Sequence, residues 1–447
     1  MTALELLQSG QPLKALPLLK KKADKEPTVA NLLALASAQR TCCKFDACKE
    51  TLRRILGMTH GQSAEAWNNI AQVETDLGNF QEVPHVFRKA LECAQKAGVE
   101  DHSVQQVLLG MAYSLMRLGQ FEEIWPAWEG ARMGVSWSVL PQTKPWRGEK
   151  DSRVLIAPEG GFGDAFLFSR WIPQVRAISD RVGLVMWDKL VDFCDWKRFG
   201  VHEVIPLKAS IRAADWDYTI SIMSLPAIFK MKSFVDVPPD LMREAFYLTV
   251  PTHERLGLAT KGKGLNVGYA WRAEETGTIR KIRSLDYLTA ATVAKGIGKL
   301  GAVVHSLCPA GKALNKHDDF KPLKYAVQNE AALATWRDTA LKILKMDLVV
   351  SVDTAVFHLA GLLGVPTLLL LPVRSDWKYG VRTMLVAGPG DYPLEEGPIN
   401  DHDPWYGNNV RYYRETNASG WTADAILDAV KAQIEHGALS PTDVIDK

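Results

Sequence analysis

Two spacings of apolar residues divide this chain of 447 residues. Up to about residue 135 the apolar positions recur at helical spacing, and the surroundings of Phe45, Phe80 and Phe121 repeat one another. In each repeat, apolar residues stand upstream of the aromatic residue and a second apolar stripe follows it. After about residue 150 the apolar residues instead form short runs, separated by stretches that suit helices. The pattern therefore predicts an α-helical repeat region followed by alternating strands and helices.

The helical units resemble tetratricopeptide repeats. Phe45 and Phe80 stand 35 residues apart, close to the tetratricopeptide period of about 34. A glycine precedes the aromatic residue in the two later units, at Gly78 and Gly119. Stacked helical hairpins of this kind offer a concave groove to a peptide or a partner protein. The alternative is an unrelated helical bundle, and on either interpretation the region contains no cluster of catalytic side chains.

The remainder of the chain reads as two α/β halves. Apolar runs predict strands at 154–157, 182–187 and 218–222 in the first half, and at 265–271, 303–307, 348–352 and 367–371 in the second. A polar, glycine-containing segment, 261–264, separates the halves. Two halves of this kind place a cleft between them, and such a cleft can bring two substrates together while excluding water.

The most informative segment is 347–366, which reads as a buried strand leading into a helix. Its apolar run suits a central parallel strand, and Asp353 and Thr354 follow where a helix N-cap is needed. The helix should end at Gly364, and a second strand after Pro366 completes a right-handed strand–helix–strand unit. Backbone N–H groups and the helix dipole at this junction suit a phosphate.

Two interpretations of this junction stay open. Thr354 is an ordinary helix cap, and His358, one turn later, is an ordinary packed histidine. Together they also suit a nucleotide, with Thr354 on a phosphate, Asp353 on a sugar hydroxyl and His358 beneath. The junction is therefore a candidate nucleotide site.

A glycine-rich turn, 159–164, follows the first strand of the first half. Gly161 and Gly163 permit a ligand to approach the backbone closely. The turn is not a dinucleotide fingerprint, because the third glycine is missing at the required offset, and it lacks the Gly-Lys-Ser/Thr of a Walker loop. Asp164, in the first turn of the following helix, is either a charge that stabilises the helix dipole or a general base that takes a proton from an attacking hydroxyl. The local sequence favours neither.

Two loops of the second half carry side chains that suit a diphosphate sugar. Arg280, Lys281 and Arg283 follow its first strand. They are either a solvated surface or groups that neutralise a diphosphate and the charge that grows on it as it departs, with Arg283 as the first choice. The loop after the last strong strand contains Asp376 and Trp377. Trp377 either stacks on a base or a sugar or fills a domain interface.

Charge and cysteine usage narrow the possible functions. Fifty-three basic and 51 acidic residues leave a formal charge of +2, so no global field recruits a polyanion and extended nucleic-acid binding is not expected. The six cysteines form no paired motif and the N-terminus lacks a secretory pattern, so they read as reduced thiols of a cytoplasmic protein. Their spacing fits no zinc pattern, so no metal is expected, and no apolar segment reaches the length of a membrane span.

Several motifs between 150 and 415 resemble glycosyltransferase family 9, the lipopolysaccharide heptosyltransferases. The similar segments are the glycine-rich turn, the basic loop, the strand–helix junction and two later loops: 159–164 with 168–173, 281–285, 351–354 with 358–361, 372–377 and 403–406. The whole chain looks like bacterial tetratricopeptide proteins that carry such a region. It departs from the family at 271–275, which is more charged than the usual turn, and at 306–309, which replaces the usual polar strand end.

The resemblance implies a GT-B fold, in which the first α/β half holds an acceptor and the second holds a nucleotide-sugar donor. It implies an inverting transfer with Asp164 as the base, and with no metal and no cofactor besides the nucleotide-diphosphate sugar as co-substrate. The residues implied on the donor side are Arg280, Lys281, Arg283, Asp353, Thr354, His358, Asp376 and Trp377. Those implied on the acceptor side of the cleft are Gly161, Gly163 and Arg170.

The sequence thus predicts five successive parts. They are a tetratricopeptide-like α-helical region (1–135), a linker (136–150), two Rossmann-like α/β domains of a GT-B fold (151–260 and 261–415), and a C-terminal helix and tail (416–447). The predicted function is transfer of a sugar from a nucleotide sugar to an acceptor hydroxyl, with the helical region recruiting a protein acceptor. Two alternatives stay open: a non-catalytic scaffold with a degenerate transferase region, and a transferase that acts on lipopolysaccharide or another lipid-linked saccharide.

Overall fold

The structure, a computed structural model, describes most of the chain. The described residues are 2–8, 11–77, 79, 82–96, 101–117, 121–132, 143–251, 264–273, 283–308, 333–372, 375–379, 402–403, 405–414 and 421–437. They form a helical region followed by two α/β lobes, each built on a mainly parallel sheet. This order confirms the predicted helical region and the two Rossmann-like units, and it fits a GT-B fold.

The helical region is built from successive helix pairs. Its helices are α1 (Ala3–Gln8), α2 (Pro12–Lys25), α3 (Val29–Thr41), α4 (Phe45–Met58), α5 (Ala64–Leu77), α6 (Val83–Lys96), α7 (Asp101–Arg117) and α8 (Phe121–Arg132). On α4 the buried residues Cys48, Leu52 and Ile55 recur at three- and four-residue spacing, as an amphipathic helix requires. Thr28 caps α3 by accepting a hydrogen bond from the Asn31 N–H. The predicted helical character is confirmed, and the tetratricopeptide assignment stays a prediction.

The first lobe contains a parallel sheet and short helices. Its strands are β1 (Lys144–Pro145), β2 (Arg153–Ala157), β3 (Arg181–Met186), β4 (Glu203–Pro206) and β5 (Tyr218–Ser221), in the order β1-β5-β2-β3-β4. Its helices are α9 (Phe162–Phe168), α10 (Ile172–Ile178), α11 (Leu225–Ile228) and α12 (Met242–Thr249). Strand β2 is buried on both faces, since Val154 and Ile156 lie in one apolar cluster and Leu155 in another.

The second lobe repeats this plan with longer strands. They are β6 (Leu265–Ala270), β7 (Ala302–Ser306), β8 (Leu348–Val352), β9 (Thr367–Leu371), β10 (His402–Asp403) and β11 (Gly407–Arg414), in the order β10-β11-β9-β8-β6-β7. The pair β10–β11 is antiparallel, and the other neighbours are parallel. The helices are α13 (Tyr287–Lys299), α14 (Trp336–Ile343), α15 (Ala355–Leu362) and α16 (Ala423–Gly437). Val349 and Val350 of β8 face two different cores, which explains the uninterrupted apolar run.

The predicted strand–helix–strand unit at 347–366 is confirmed. Strand β8 leads through Asp353 and Thr354 into α15, and β9 then lies parallel to β8. Helix α15 ends at Leu362, two residues before the predicted end. Gly364 follows with a φ of +71°, a left-handed conformation that glycine adopts readily and that stops a helix.

The structure differs from the prediction at the edges of the first sheet. The segment predicted as a linker, 136–150, contributes β1, which pairs with β5. Strand β4 has no counterpart among the predicted strands, because only Ile205 in it is buried and an apolar run is therefore missing. Short edge strands of this kind leave little trace in the pattern of apolar residues.

An apolar contact joins the two lobes. Helix α9 packs against α15, and the rings of Phe168, Trp171 and Phe234 surround Trp405 of the second lobe at centroid distances of 6.1, 6.1 and 5.3 Å. The hydrophobic core is therefore continuous between the lobes. In the part of the chain that the structure describes, no helix has both the length and the apolar character that crossing a bilayer requires.

Helices α7 and α8 share this core. Leu115, Phe121 and Trp128 lie in the same apolar cluster as the buried residues of the first lobe. The indole N–H of Trp125 donates a hydrogen bond of 2.8 Å to the carbonyl oxygen of Met231. This helix pair is therefore part of the same folded body as the first α/β lobe, and not only the end of a separate helical array.

Candidate active site

The candidate site lies where α9 and α15 meet between the lobes. Gly163, in the first turn of α9, lies against the ring of His358 on α15. A Cβ added to Gly163 would stand 2.5 Å from Cδ2 of that ring, so a larger residue does not fit without a shift. Gly163 therefore allows the two helices to approach. The acceptor contacts predicted for Gly161 and Gly163 stay predictions.

Asp164 faces the second lobe, and its side chain is 16% exposed. One carboxylate oxygen, Oδ2, accepts a hydrogen bond of 2.7 Å from the Gly161 N–H, which caps α9. The other, Oδ1, lies 3.0 Å from Nζ of Lys378 in the second lobe. Asp164 thus serves as an N-terminal charge on α9 and also forms an ion pair across the interlobe contact.

Lys378 is held between two carboxylates. Its side chain is 9% exposed, and Nζ lies 3.0 Å from Asp164 and 3.2 Å from Asp376. Burial lowers the pKa of the Lys378 ammonium, but Asp164 and Asp376 raise it by more, so that the pKa stays above its ordinary value. Lys378 is therefore a buried, charged group that joins a carboxylate of each lobe.

Asp353, directly after β8, is buried and paired. Nη1 of Arg283 lies 2.8 Å from Oδ2 of Asp353, and the Tyr379 hydroxyl donates a hydrogen bond to the other oxygen. Burial raises the pKa of the Asp353 carboxyl, but Arg283 and Lys378 lower it by more, so the pKa falls below its ordinary value. With 4% of its surface exposed, Asp353 reaches a sugar hydroxyl only if one of these partners moves.

His358 is a buried, neutral ring. Its Nδ1 lies 2.8 Å from the Tyr406 hydroxyl, and its Nε2 lies 3.4 Å from the Tyr379 hydroxyl. Burial lowers the pKa of His358 to about 3, and the charge of Lys378 acts in the same direction. His358 therefore carries no charge at neutral pH and orients two tyrosine hydroxyls by hydrogen bonding.

Thr354 forms the N-terminal cap of α15. Its Oγ1 accepts a hydrogen bond of 3.2 Å from the Val356 N–H. The first N–H groups of a helix have no acceptor within the helix and carry a partial positive charge, which suits an anion. The phosphate contact predicted for Thr354 is compatible with this position and stays a prediction.

Arg170 is buried where the two lobes meet. Its Nη1 donates a hydrogen bond of 2.9 Å to the Trp405 carbonyl oxygen, and its Nη2 pairs with Asp240 at 2.9 Å. Only 2% of Arg170 is exposed. The Arg170 guanidinium therefore joins the lobes through these partners, and its predicted contact with an acceptor stays a prediction.

The remaining predicted donor residues differ in how far the structure describes them. Asp376, one-third exposed, pairs with Lys378 at 3.2 Å. Arg280 and Lys281 lie outside the described residues, as does the side chain of Trp377. Their predicted contacts with a donor stay predictions.

Lys378, Tyr379 and Tyr406 belong to the site without being among its predicted residues. A signal was present for Lys378 and Tyr379, because they follow β9 in the same loop as Asp376, at the carboxyl edge of a parallel sheet. No sequence pattern pairs Tyr406 with His358, which is 48 residues away along the chain.

The helical region also reaches the site. Helix α7 lies against the segment Trp377–Tyr379. Burial raises the pKa of the Tyr113 hydroxyl on α7 to about 12, and the charge of Asp376 acts in the same direction. Tyr113 as a whole residue is 40% exposed. It is therefore a polar group of the helical region at the edge of the paired charges.

The charged groups of the site are paired with one another. Among the described residues, the paired cluster contains three carboxylates and two cations: Asp164, Asp353, Asp376, Arg283 and Lys378. Of the basic groups in this cluster, the described ones, Arg283 and Lys378, therefore do not form an open cationic surface. An anionic ligand has to exchange places with a carboxylate to reach either cation.

A cavity lies apart from this cluster of paired charges. A cavity of about 1060 Å³ opens at the amino ends of β1, β2 and β5, and its lining includes Lys144, Lys150 and Asp217. The candidate site lies at the opposite, carboxyl ends of the strands. Within the described ranges, no group of three or more His, Cys, Asp or Glu side chains is arranged to hold a metal ion.

No protein-family model and no curated protein matches the chain. Among solved structures, it is similar to E. coli ADP-heptose lipopolysaccharide heptosyltransferase II, with 13% identity over 63% of this chain and 98% of that one and a TM-score of 0.40. For a glycosyltransferase family 9 protein from Veillonella parvula the identity is 12%, over 64% and 98%, with a TM-score of 0.41. For a Thermobaculum terrenum O-GlcNAc transferase mutant it is 13%, over 84% and 82%, with a TM-score of 0.28. Since these TM-scores are below 0.5, the site and its proposed chemistry rest on the residues alone.

Proposed function

We propose that the protein is a glycosyltransferase that moves a sugar from a nucleotide-diphosphate donor to an acceptor hydroxyl. The observation that carries this proposal is the position of Asp164. Its carboxylate projects from the first lobe toward Lys378 of the second lobe, and α9, which carries Asp164, packs against α15, whose N-terminus Thr354 caps. A transfer of this kind needs a base on one side of the sugar and charge stabilisation at the leaving diphosphate on the other.

The proposed reaction uses these groups in one displacement. Asp164 accepts the proton of the acceptor hydroxyl while that oxygen attacks the anomeric carbon of the sugar. The bond from the anomeric carbon to the diphosphate breaks, and its electrons leave on the phosphate oxygen. The N–H groups at the start of α15, together with Arg283, stabilise the growing negative charge. The configuration at the anomeric carbon inverts, because attack and departure occur on opposite faces.

We propose a protein as the acceptor. The family resemblance supplies the donor class, and the helical repeats supply the reason for a protein partner, since stacked hairpins offer an extended concave surface. The contact of α7 with Trp377–Tyr379 supports this choice, because a chain held by the helical region would be delivered beside the site. The metal-independent course remains part of the same proposal and follows from the resemblance.

The test is a comparison of Asp164→Asn with the unchanged protein in a transfer assay. Both proteins are incubated with bacterial lysate and a panel of radiolabelled nucleotide sugars, and labelled products are separated by size. Removal of the base should lower the rate of labelling by roughly 10²–10⁴-fold. Asp188→Asn, which removes a surface carboxylate of the same lobe, is the matched control and should label at the normal rate. Equal labelling by Asp164→Asn would remove Asp164 from the mechanism.

A non-catalytic scaffold is the second candidate, and one observation favours it. The described charged groups of the site are paired within the protein, as in a site that no longer binds its ligand. Calorimetric titration with ADP, GDP, UDP and CDP separates the two candidates. The transferase should bind at least one of these nucleotides, whereas a scaffold with a degenerate site should bind none.

A further inference from the structure

Lys378 stands between the proposed base and the proposed phosphate site. Its ammonium contacts Asp164 at 3.0 Å, and the neighbouring Tyr379 donates a hydrogen bond to Asp353, the residue before the cap of α15. The main chain of Lys378 is fixed, because its carbonyl oxygen accepts a hydrogen bond of 2.7 Å from the Trp405 indole. The long side chain can thus change partners while its backbone stays in place.

The pairing with Lys378 limits what Asp164 can do. The ammonium at 3.0 Å occupies one approach to Oδ1 of Asp164, and Oδ2 already accepts the Gly161 N–H, so an acceptor hydroxyl has little room beside the carboxylate. Movement of Lys378 away from Asp164 would open the carboxylate to an acceptor hydroxyl. A buried ammonium that leaves one carboxylate needs another anion, because an unpaired charge in this environment is costly.

We propose that Lys378 exchanges partners when the donor binds: it leaves Asp164 for the diphosphate, and Asp164 becomes free to accept the acceptor proton. The inference rests on the proposed function and adds a positioning residue to it. The exchange keeps Lys378 paired throughout, with Asp376 as a constant neighbour at 3.2 Å. It makes the base available only when the sugar to be transferred is present.

The test measures the affinity of the full-length protein for ADP, GDP, UDP and CDP by calorimetry. In Asp164→Asn the carboxylate no longer competes for Lys378, so the nucleoside diphosphate should bind roughly three- to tenfold more tightly. The matching nucleoside, which has no phosphate, should bind with unchanged affinity. If the Asp164–Lys378 pair had a purely structural role, Asp164→Asn would not tighten binding of the nucleoside diphosphate while leaving binding of the nucleoside unchanged.

Lys378→Met supplies the second arm. It removes the cation while keeping the length of the side chain, and it should weaken nucleoside diphosphate binding by at least about tenfold. Lys208→Met is the matched control, because Lys208 is an exposed lysine paired with Asp188 at 3.5 Å in the first lobe. It should bind like the unchanged protein. Melting curves of each variant show whether it is folded, and if Lys378→Met does not fold, Asp164→Asn decides alone.

The outcomes separate this inference from the proposed function. If the unchanged protein binds none of the four nucleotides, the transferase and the exchange of partners are both wrong. If it binds one of them and Asp164→Asn binds it equally or more weakly, the exchange is wrong while the transferase stands. Tighter binding of the diphosphate alone by Asp164→Asn supports the exchange.

Discussion

His358 shows how burial sets the chemistry of a single residue. Its ring is 3% exposed and its pKa is lowered to about 3, so the folded protein leaves it neutral where the unfolded chain protonates it. Between the unfolded value, 6.5, and about 3, the unfolded state binds more protons, and the free energy of unfolding must fall as the pH falls. His358 is therefore a hydrogen-bonding group whose stabilising effect weakens in acid.

Replacement of His358 by Gln should remove this part of the pH dependence. From pH 7 to pH 5 the unchanged protein should lose about 2 kcal/mol more unfolding free energy than His358→Gln. Urea titrations followed by tryptophan fluorescence at pH 7, 6 and 5 measure the difference. The remaining titratable groups are common to both proteins, so parallel curves would show that His358 is protonated in the folded state.

For single residues, the sequence predicted which side chains lie at the site, but it did not predict which groups they contact. The positions of Asp353, Thr354 and His358 followed from a strand that leads into a helix, because side chains at such a junction collect at one sheet edge. Arg170 was assigned to the acceptor side, yet it binds Asp240 and the Trp405 carbonyl. Its partners lie 70 and 235 residues away, and no local pattern encodes contacts at that separation.

For the helix pair α7–α8, too, the sequence predicted the elements but not their contacts with distant parts of the chain. The amphipathic spacing predicted helices here, but it did not reveal what their apolar faces cover. Phe121 packs edge-to-face on Phe234 of the first lobe at 5.1 Å, and Trp125 donates to Met231. These partners are more than 100 residues away in sequence, so the sequence pattern alone predicted the helix pair as one more repeat of the helical region.

Two truncations test whether α7–α8 belong to the same folded body as the α/β lobes. A protein that begins at residue 101 keeps the helix pair, and it should fold and melt near the full-length protein. A protein that begins at residue 136 should lose more than about 3 kcal/mol of stability, since the removal of a buried Phe or Trp already costs this much. Thermal melting compares them.

Equal melting of the two truncated proteins would contradict the shared core. The result also bears on the alternative of a lipid-linked acceptor. A loss of transfer after removal of residues 1–135 would follow from instability alone. Only the protein that begins at residue 101 therefore reports on recruitment by the helical region. Retained transfer in that shorter truncation would favour an acceptor that the early helices do not bind.

For the molecule as a whole, the sequence predicts the two α/β lobes, but it does not predict how the lobes contact each other. Two parallel sheets follow from apolar runs such as 348–352, because strands that are buried on both faces need no polar side. The apolar contact between the lobes is centred on Trp405. The sequence identified 403–406 only as a segment similar to the family, and it did not predict this contact. The continuous core ties the two lobes together.

The most direct test of the central claim is a crystal structure of the full-length protein with the nucleoside diphosphate that binds best. The proposed transferase predicts the diphosphate within hydrogen-bond distance of the first N–H groups of α15 and of Arg283, with Lys378 on a phosphate oxygen and Asp164 facing the space where the sugar would stand. A nucleotide bound elsewhere, with the Asp164–Lys378 pair still intact, would contradict it.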